Sequence, residues 1–306
     1  MEREEVSIVV PVYNRADIVC RTLDSVAAQT WRPLHLIVVD NNSTDGSAGV
    51  VSRWIAAHEH DEALRMTLLS ESKPGASAAR NRGLREVDGE HVIFFDSDDE
   101  MMPPLVEKAV NSIGSADLVY WKAELVGLDG TRTMKPFHED DLVRRQFYNS
   151  MLATQIYMAR TDFIRKIGGW EEDAPVWNDW ELGVRIALAS PSTVALPELL
   201  VRINAQRNSI TGSSFCERAG DWENTLDIVE KNISGSDPDG VLTDMLDYRR
   251  VILAAHYRRE KKTELGHRLL ENAIGRPGRS WFRRKLLGFI YIYTVAGGRG
   301  AYYMWR

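Results

Sequence analysis

Asp96, Asp98 and Asp99 fall within four residues, with Ser97 between the first two, directly after the apolar run Val92 to Phe95. At 4 Å, two like charges repel by roughly 1 kcal/mol in water and about 4 kcal/mol near a protein surface. Such a cluster calls for an offsetting cation. A carboxylate pair one residue apart at a strand end can present oxygens to one Mg2+ or Mn2+, with phosphate oxygens filling the other positions. The competing reading is a polar loop with a helix cap.

Three further stretches carry candidate chemistry. In VVDNNSTDGS, Asp40 follows an apolar run and could accept a hydrogen bond from a nucleobase N–H, whereas Ser43 and Asp45 read as turn and N-cap residues. KPGASAARNRG offers Lys73, Arg80 and Arg82 beside a glycine turn at a helix start, where cations and free N–H groups suit a diphosphate, although Arg82 and Arg85 read better as solvated helix charges. WNDWELG reads as a helix start with Asn178 as N-cap and Glu181 as its capping-box partner, which places Asp179 in the first turn. Between Trp177 and Trp180, whose faces suit a sugar ring, Asp179 is a candidate general base, although an exposed first-turn Asp usually only complements the helix dipole. A phosphatase of the haloacid-dehalogenase kind also places Asp-x-Asp after a strand. That class wants Thr or Val two residues after the second Asp, where this chain has Glu100.

The elements that position these residues alternate. Val6 to Val10 reads as an apolar strand broken by Pro11; Leu34 to Val39, Met66 to Leu69 and Val92 to Phe95 read as three more, with helical spacing between them. Strands and helices at this spacing imply βαβ units and a mostly parallel sheet, in which ligands bind beyond the carboxyl ends of the strands. Asp129-Gly130 signals a hairpin, and from about residue 213 the chain reads as helical. The 306 residues, 44% apolar and 27% charged, suffice for one large domain with an appendage, and a net charge of −6 argues against nucleic acid as partner. The charge is split: residues 276–306 hold seven Lys or Arg and no acid, leaving 31 basic groups against 44 acidic ones elsewhere. Two cysteines, Cys20 and Cys216, make no disulfide framework and favour a reducing compartment. With no secretory pattern at the start and no apolar run long enough to span a bilayer, the expected location is the cytoplasm.

In order, VSIVVPVYNR, LIVVDNNSTDGS, GASAARNRGL, VIFFDSDD, IGGWEED and WNDWEL resemble the family-2 inverting glycosyltransferases of GT-A fold, over roughly the first 210 residues. The resemblance implies a nucleotide-diphosphate sugar donor (a UDP-sugar by family frequency), Mn2+ or Mg2+, and direct displacement at the anomeric carbon of a hexose with inversion. It implies Pro11 and Tyr13 lining the base pocket, Asp40 on the base, Arg80 on the diphosphate, and Asp96, Ser97 and Asp98 at the donor, with Asp98 the direct metal ligand and Asp96 its companion. Asp179 matches the family's base, and Trp177 and Trp180 are the expected acceptor-binding faces. Two positions depart from the family pattern: Asn178 stands where Glu is usual, and Asn204, in VRINAQRNS, stands where many members have a metal-binding His. The expected organisation is a GT-A domain over 1–212, a helical extension over 213–275 and a basic aromatic tail over 276–306. The expected partners are a glycan or lipid-linked acceptor and, through the tail, an anionic membrane surface at the inner face of the cell membrane. A nucleotidyltransferase and a non-catalytic sugar-nucleotide-binding protein remain as alternatives.

Overall fold

A computed structural model describes residues 4–206, 214–298 and 300. Its amino-terminal half alternates as the sequence predicts. β1 (Val6–Val12), α1 (Val19–Ala27), β2 (Leu34–Asp40), α2 (Ser47–His58), β3 (Leu64–Ser70), α3 (Ala76–Glu86) and β4 (His91–Phe94) form parallel βαβ units, in the strand order β3-β2-β1-β4. Every residue of β2 is buried, as befits a parallel strand covered on both faces.

Pro11 does not end the first strand, which continues to Val12 with Pro11 in register with Val39. The reason lies in which side each residue faces. The Val9 carbonyl accepts from Phe95 N on the β4 side, so Pro11, two residues on, faces the same side where β4 has already ended. Its missing N–H therefore removes no ladder bond.

The sheet continues with β5 (Glu100–Met101), α4 (Leu105–Ile113), β6 (Leu118–Val126), β7 (Arg132–Met134), α5 (Leu142–Asn149), β8 (Tyr157–Arg160), α6 (Thr161–Lys166), α7 (Asn178–Leu188) and β9 (Thr193–Asn204). β8 runs antiparallel to β4 and β6, whereas β9 is parallel to β6. The Asp129-Gly130 hairpin joins β6 to β7, with Gly130 at φ 79°.

Period-2 alternation divides the core. Ile8, Val10, Leu36 and Val38 pack with Leu23, Trp54 and Leu105 from α1, α2 and α4, while Val9, Ile37 and Val39 pack with Ala79, Ile164 and Leu182 from α3, α6 and α7. Gly83 lets α3 sit close on β1, because a Cβ there would lie 2.3 Å from Val9 Cγ1. That approach sets the turn of α3 carrying Arg80.

Four helices follow: α8 (Ala219–Ile233), α9 (Val241–Arg259), α10 (Thr263–Ile274) and α11 (Trp281–Val295). Phe147, Trp180 and Val184 of α5 and α7 share one buried cluster with Trp222, Leu226, Leu246, Leu253 and Leu269 of α8, α9 and α10. The start of the basic tail is bound to the acidic body. Arg276 pairs with Glu230 (2.5 Å) and Asp247, and Arg279 with Asp244 (2.8 Å) and Asp247 (2.6 Å). Leu287 and Ile290 bury one side of α11, while Trp281, Phe282, Phe289 and Ile292 are exposed on it. Among the described residues no helix is long and apolar enough to cross a membrane. The rest of the tail, including Trp305, lies outside the described residues.

Candidate active site

The carboxyl ends of β1, β2 and β4 bring three loops to one edge. Pro11 is half-buried, Tyr13 just beyond it is 58% exposed, and Asp40 closes β2 opposite Val12. Asp40 Oδ2 accepts from Ser43 N at 3.3 Å, whereas its buried Oδ1 has no partner. A buried acceptor without a donor is costly, which fits an oxygen kept for an incoming N–H.

After β4, Asp96 and Asp98 are half-buried around a buried Ser97, and Asp99 turns inward. Asp99 is a structural residue. Gln155 donates to its Oδ2, and Asn204 N donates to its Oδ1 at 2.7 Å. Burial and the carboxylates of Asp96 and Asp98 push its pKa well up. Burial, then Asp96, raises Asp98 to about 6, opposed by Arg15, whose guanidinium lies 3.5 Å from Asp98 Oδ2. Asn204 uses its amide nitrogen on Asp98 O and Glu100 Oε1, both at 3.2 Å. The carboxylate oxygens and the only partly offset repulsion of Asp98 fit a hard divalent cation held by few protein ligands. Among the described residues, the groups of three His, Asp or Glu whose ligand atoms lie within 4.8 Å of one another are elsewhere: Glu4, Glu90 and His91, and Glu5, His35 and Asp88.

Arg80 links this edge to α7. It is 4% exposed; Nη2 donates to Asp96 Oδ1 at 2.6 Å, Nη1 to Asn178 Oδ1 at 3.3 Å, and the guanidinium lies 4.2 Å over the Trp170 ring. Asn178 is therefore not an N-cap but the first residue of α7, with its oxygen turned to Arg80. The capping position belongs to Trp177, whose φ of 49° is a left-handed conformation that costs a bulky residue on the order of 1–3 kcal/mol. Glu181 is no capping-box partner either: it is fully buried and forks onto Arg185, with both contacts at 2.6 Å. Asp179 lies in the first turn as expected, its Oδ1 accepting from Trp180 N at 2.8 Å. Burial raises its pKa, and Lys135 is the first group opposing that shift, followed by Trp180 N and Arg80.

The reading of Trp180 as an acceptor face is overturned. Its ring is 0% exposed, packed edge-on to Phe147 at 6.1 Å with Arg249 over its face at 4.2 Å. Spacing cannot separate a sugar-binding Trp from one that joins two helical layers. Trp177 stays half-buried against Trp222, 4.7 Å between centroids. The sequence also gave no sign of Arg15, Lys135 or Arg249 at this edge. Arg15 is the last residue of the quoted stretch VSIVVPVYNR, which assigns it no role, and nothing local marks a residue inside α9.

A sequence model of glycosyl transferase family 2 matches residues 7–165, just over half of the chain. The chain belongs to this family. A curated relative, the glycosyltransferase YibD of Escherichia coli (strain K12), is 32% identical over 114 residues, 37% of this chain and 32% of that protein. The chain thus matches about a third of that relative's length. Among solved structures, S. aureus TarS 1-349 in complex with UDP-GlcNAc superposes with a TM-score of 0.59 at 16% identity, covering 96% of this chain and 92% of that one. The mannosyltransferase PcManGT from Pyrobaculum calidifontis, in complex with GDP-Man and Mn2+, gives 0.61 at 20% identity, covering 98% and 82%. At such identities these matches establish the GT-A architecture.

Proposed function

We propose that the chain is a metal-dependent, inverting glycosyltransferase that moves a hexose from a nucleoside diphosphate, by preference UDP, to a hydroxyl of a glycan or lipid-linked acceptor in surface polysaccharide synthesis. The observation that carries this reading is Arg80. One buried guanidinium holds both Asp96 and Asn178, so the acidic loop and the first turn of α7 are held by the same group. The ligands bound to the two neighbours, a UDP-sugar and a GDP-sugar with Mn2+, support the donor class.

In this reading Pro11 and Tyr13 border the base, and Asp40 Oδ1 accepts its N–H. Asp98, with Asp96 and Ser97 beside it, holds Mn2+ or Mg2+, which supplies charge neutralisation for the leaving diphosphate. Arg80 adds a fixed positive charge there and exchanges part of its bond to Asp96 for the phosphates. Asp179 takes the proton of the acceptor hydroxyl as the new bond forms. A single displacement needs no enzyme nucleophile. Trp177 borders the acceptor, and the chain divides into a transferase unit over 1–212, a helical extension over 213–275 and the tail.

We further place the protein peripherally at the inner face of the cell membrane. The support is the outer face of α11, where Trp281, Phe282, Phe289 and Ile292 are exposed beside Arg284 and Lys285. Apolar and aromatic side chains flanked by cations suit an anionic interface.

The test is a thermal-shift panel of nucleotide sugars with Mn2+, followed by an assay of the product. A sugar nucleotide that binds the folded state raises the melting temperature, and a transferase then releases nucleoside diphosphate. Release of pyrophosphate from a nucleoside triphosphate supplied with a sugar 1-phosphate would mark a nucleotidyltransferase instead, and binding without product a non-catalytic protein.

A further inference from the structure

Two cations that interact electrostatically with Asp179 make no salt-bridge contact among the described residues. Lys135, just after β7, is half-buried and donates from Nζ to the Ser150 carbonyl at 2.9 Å. Arg249, inside α9, donates from Nη2 to Ser150 Oγ at 2.8 Å and from Nε to the Phe147 carbonyl at 3.3 Å. Its guanidinium lies 4.2 Å over the ring of Trp180 and 4.8 Å over that of Trp177, the residues on either side of the Asn178-Asp179 pair. Both cations thus meet at Ser150, and all their hydrogen bonds go to neutral oxygens. The contrast with their surroundings is sharp: Arg80 is paired with Asp96, and Arg250 with Asp227, Glu230 and Asp247.

The charges do not balance. Arg80 and Asp96 cancel, so among the described residues Asp179 is the carboxylate whose charge acts on both cations, and a positive charge is left over. Tyr157, whose hydroxyl pKa burial shifts further up, adds no charge there. A half-buried, unmatched cation is costly, and an anion is what relieves it. Burial lowers the pKa of Arg249 to about 10, with Asp179 opposing. Burial also lowers that of Lys135, which Asp179 supports and Arg249 depresses.

We infer that Lys135 and Arg249 receive a phosphate group of the acceptor, next to the hydroxyl whose proton Asp179 takes. The acceptor is then a phosphorylated polyol or sugar rather than a neutral glycan. This deepens the reading of Asp179 as base and rests on it. Arg249 has five N–H donors and commits two; Lys135 has three and commits one. A guanidinium held flat on two indole faces is already oriented for a forked contact to phosphate oxygens. The donor's own diphosphate is a poorer match, because neither cation bonds to Asp96, Asp98, Arg80 or Arg15.

Calorimetric titration of the full chain, with UDP, GDP and Mg2+ in excess to fill the donor side, compares sn-glycerol 3-phosphate, glycerol and farnesyl pyrophosphate. Glycerol 3-phosphate is expected to bind at least tenfold more tightly than glycerol. Arg249→Met and Lys135→Met should each lose at least tenfold, and Arg249→Lys, which keeps the charge but not the fork, should lose less than Arg249→Met. Farnesyl pyrophosphate binding through the same pair would identify a lipid-linked pyrophosphate as the source; glycerol 3-phosphate alone would identify a polyol phosphate chain. Equal binding of glycerol and its phosphate would overturn the inference. So would undiminished phosphate affinity in Lys135→Met, whose half-buried strand-end position leaves the packing of α9 intact even if Arg249→Met perturbs it. Binding of UDP or GDP alone is measured separately; its absence would count against the donor reading and leave the phosphate preference measurable.

Discussion

Asp98 combines a carboxylate that burial and Asp96 push up to about 6 with a partial offset from Arg15, at 3.5 Å, and Arg21. Replacing it by Asn removes one like charge at almost constant volume. Asp98→Asn should therefore abolish metal-dependent turnover while the melting temperature stays level or rises slightly, since the repulsion relieved is about 1–4 kcal/mol before screening. Full activity with added Mn2+ in that variant would end the metal assignment. The placement of Asp40 and Asp96 at the sheet's carboxyl edge was legible because one ends and the other closely follows an apolar strand, and the edge of a parallel sheet follows from that pattern. Asn178 and Trp180 were misread for a physical reason. Capping depends on φ at the neighbouring Trp177, and burial depends on α8 and α9 arriving from far along the chain, neither of which appears in a seven-residue window.

At the scale of elements, the alternation of strands and helices was readable through β4, whereas the attachment of the last helices was not. Glu260, at the end of α9, shows what holds one of those attachments. It accepts from Ser214 Oγ at 2.6 Å, Phe215 N at 3.0 Å and Cys216 N at 2.8 Å, fastening the chain where it re-enters ahead of α8. Burial alone would raise its pKa, but these donors outweigh it and bring it to about 2. A carboxylate lowered in the folded state stabilises above its unfolded pKa of about 4.3, and the gain disappears as pH falls towards 2. Screened by partial exposure, the contribution is on the order of 1–2 kcal/mol. Glu260→Gln should be less stable than the native chain by that amount in urea melts at pH 7, with a gap constant down to about pH 5 that narrows below it. An equal midpoint at pH 7, or a gap that persists at pH 2, would refute the anchoring role. The same fastening leads through Phe215 to Trp222, 5.0 Å away, and so to Trp177 beside Asp179.

For the whole molecule, the charge split seen in the sequence has two outcomes. Arg276 and Arg279 are spent on the buried Asp247, so the first part of the tail belongs to the fold. Deleting residues 276–306 would leave that carboxylate with Arg250 alone, and breaking buried pairs costs roughly 3–5 kcal/mol. Truncation would therefore confuse unfolding with loss of binding. Trp281→Glu with Phe289→Glu alters only exposed residues, 71% and 55% accessible. This pair should keep the native melting temperature but stop sedimenting with anionic liposomes at low salt, where each cation near the surface adds roughly 1 kcal/mol. Native protein that ignores such liposomes would refute the membrane proposal. The central claim concerns transfer itself, and its most direct measurement is nucleoside diphosphate release from the sugar nucleotide selected by the panel, in the native chain and in Asp179→Asn. The account predicts a fall of at least about 10²–10⁴-fold, the range of general-base catalysis, with donor affinity unchanged. Collapsed donor binding with turnover largely retained per bound complex would contradict it.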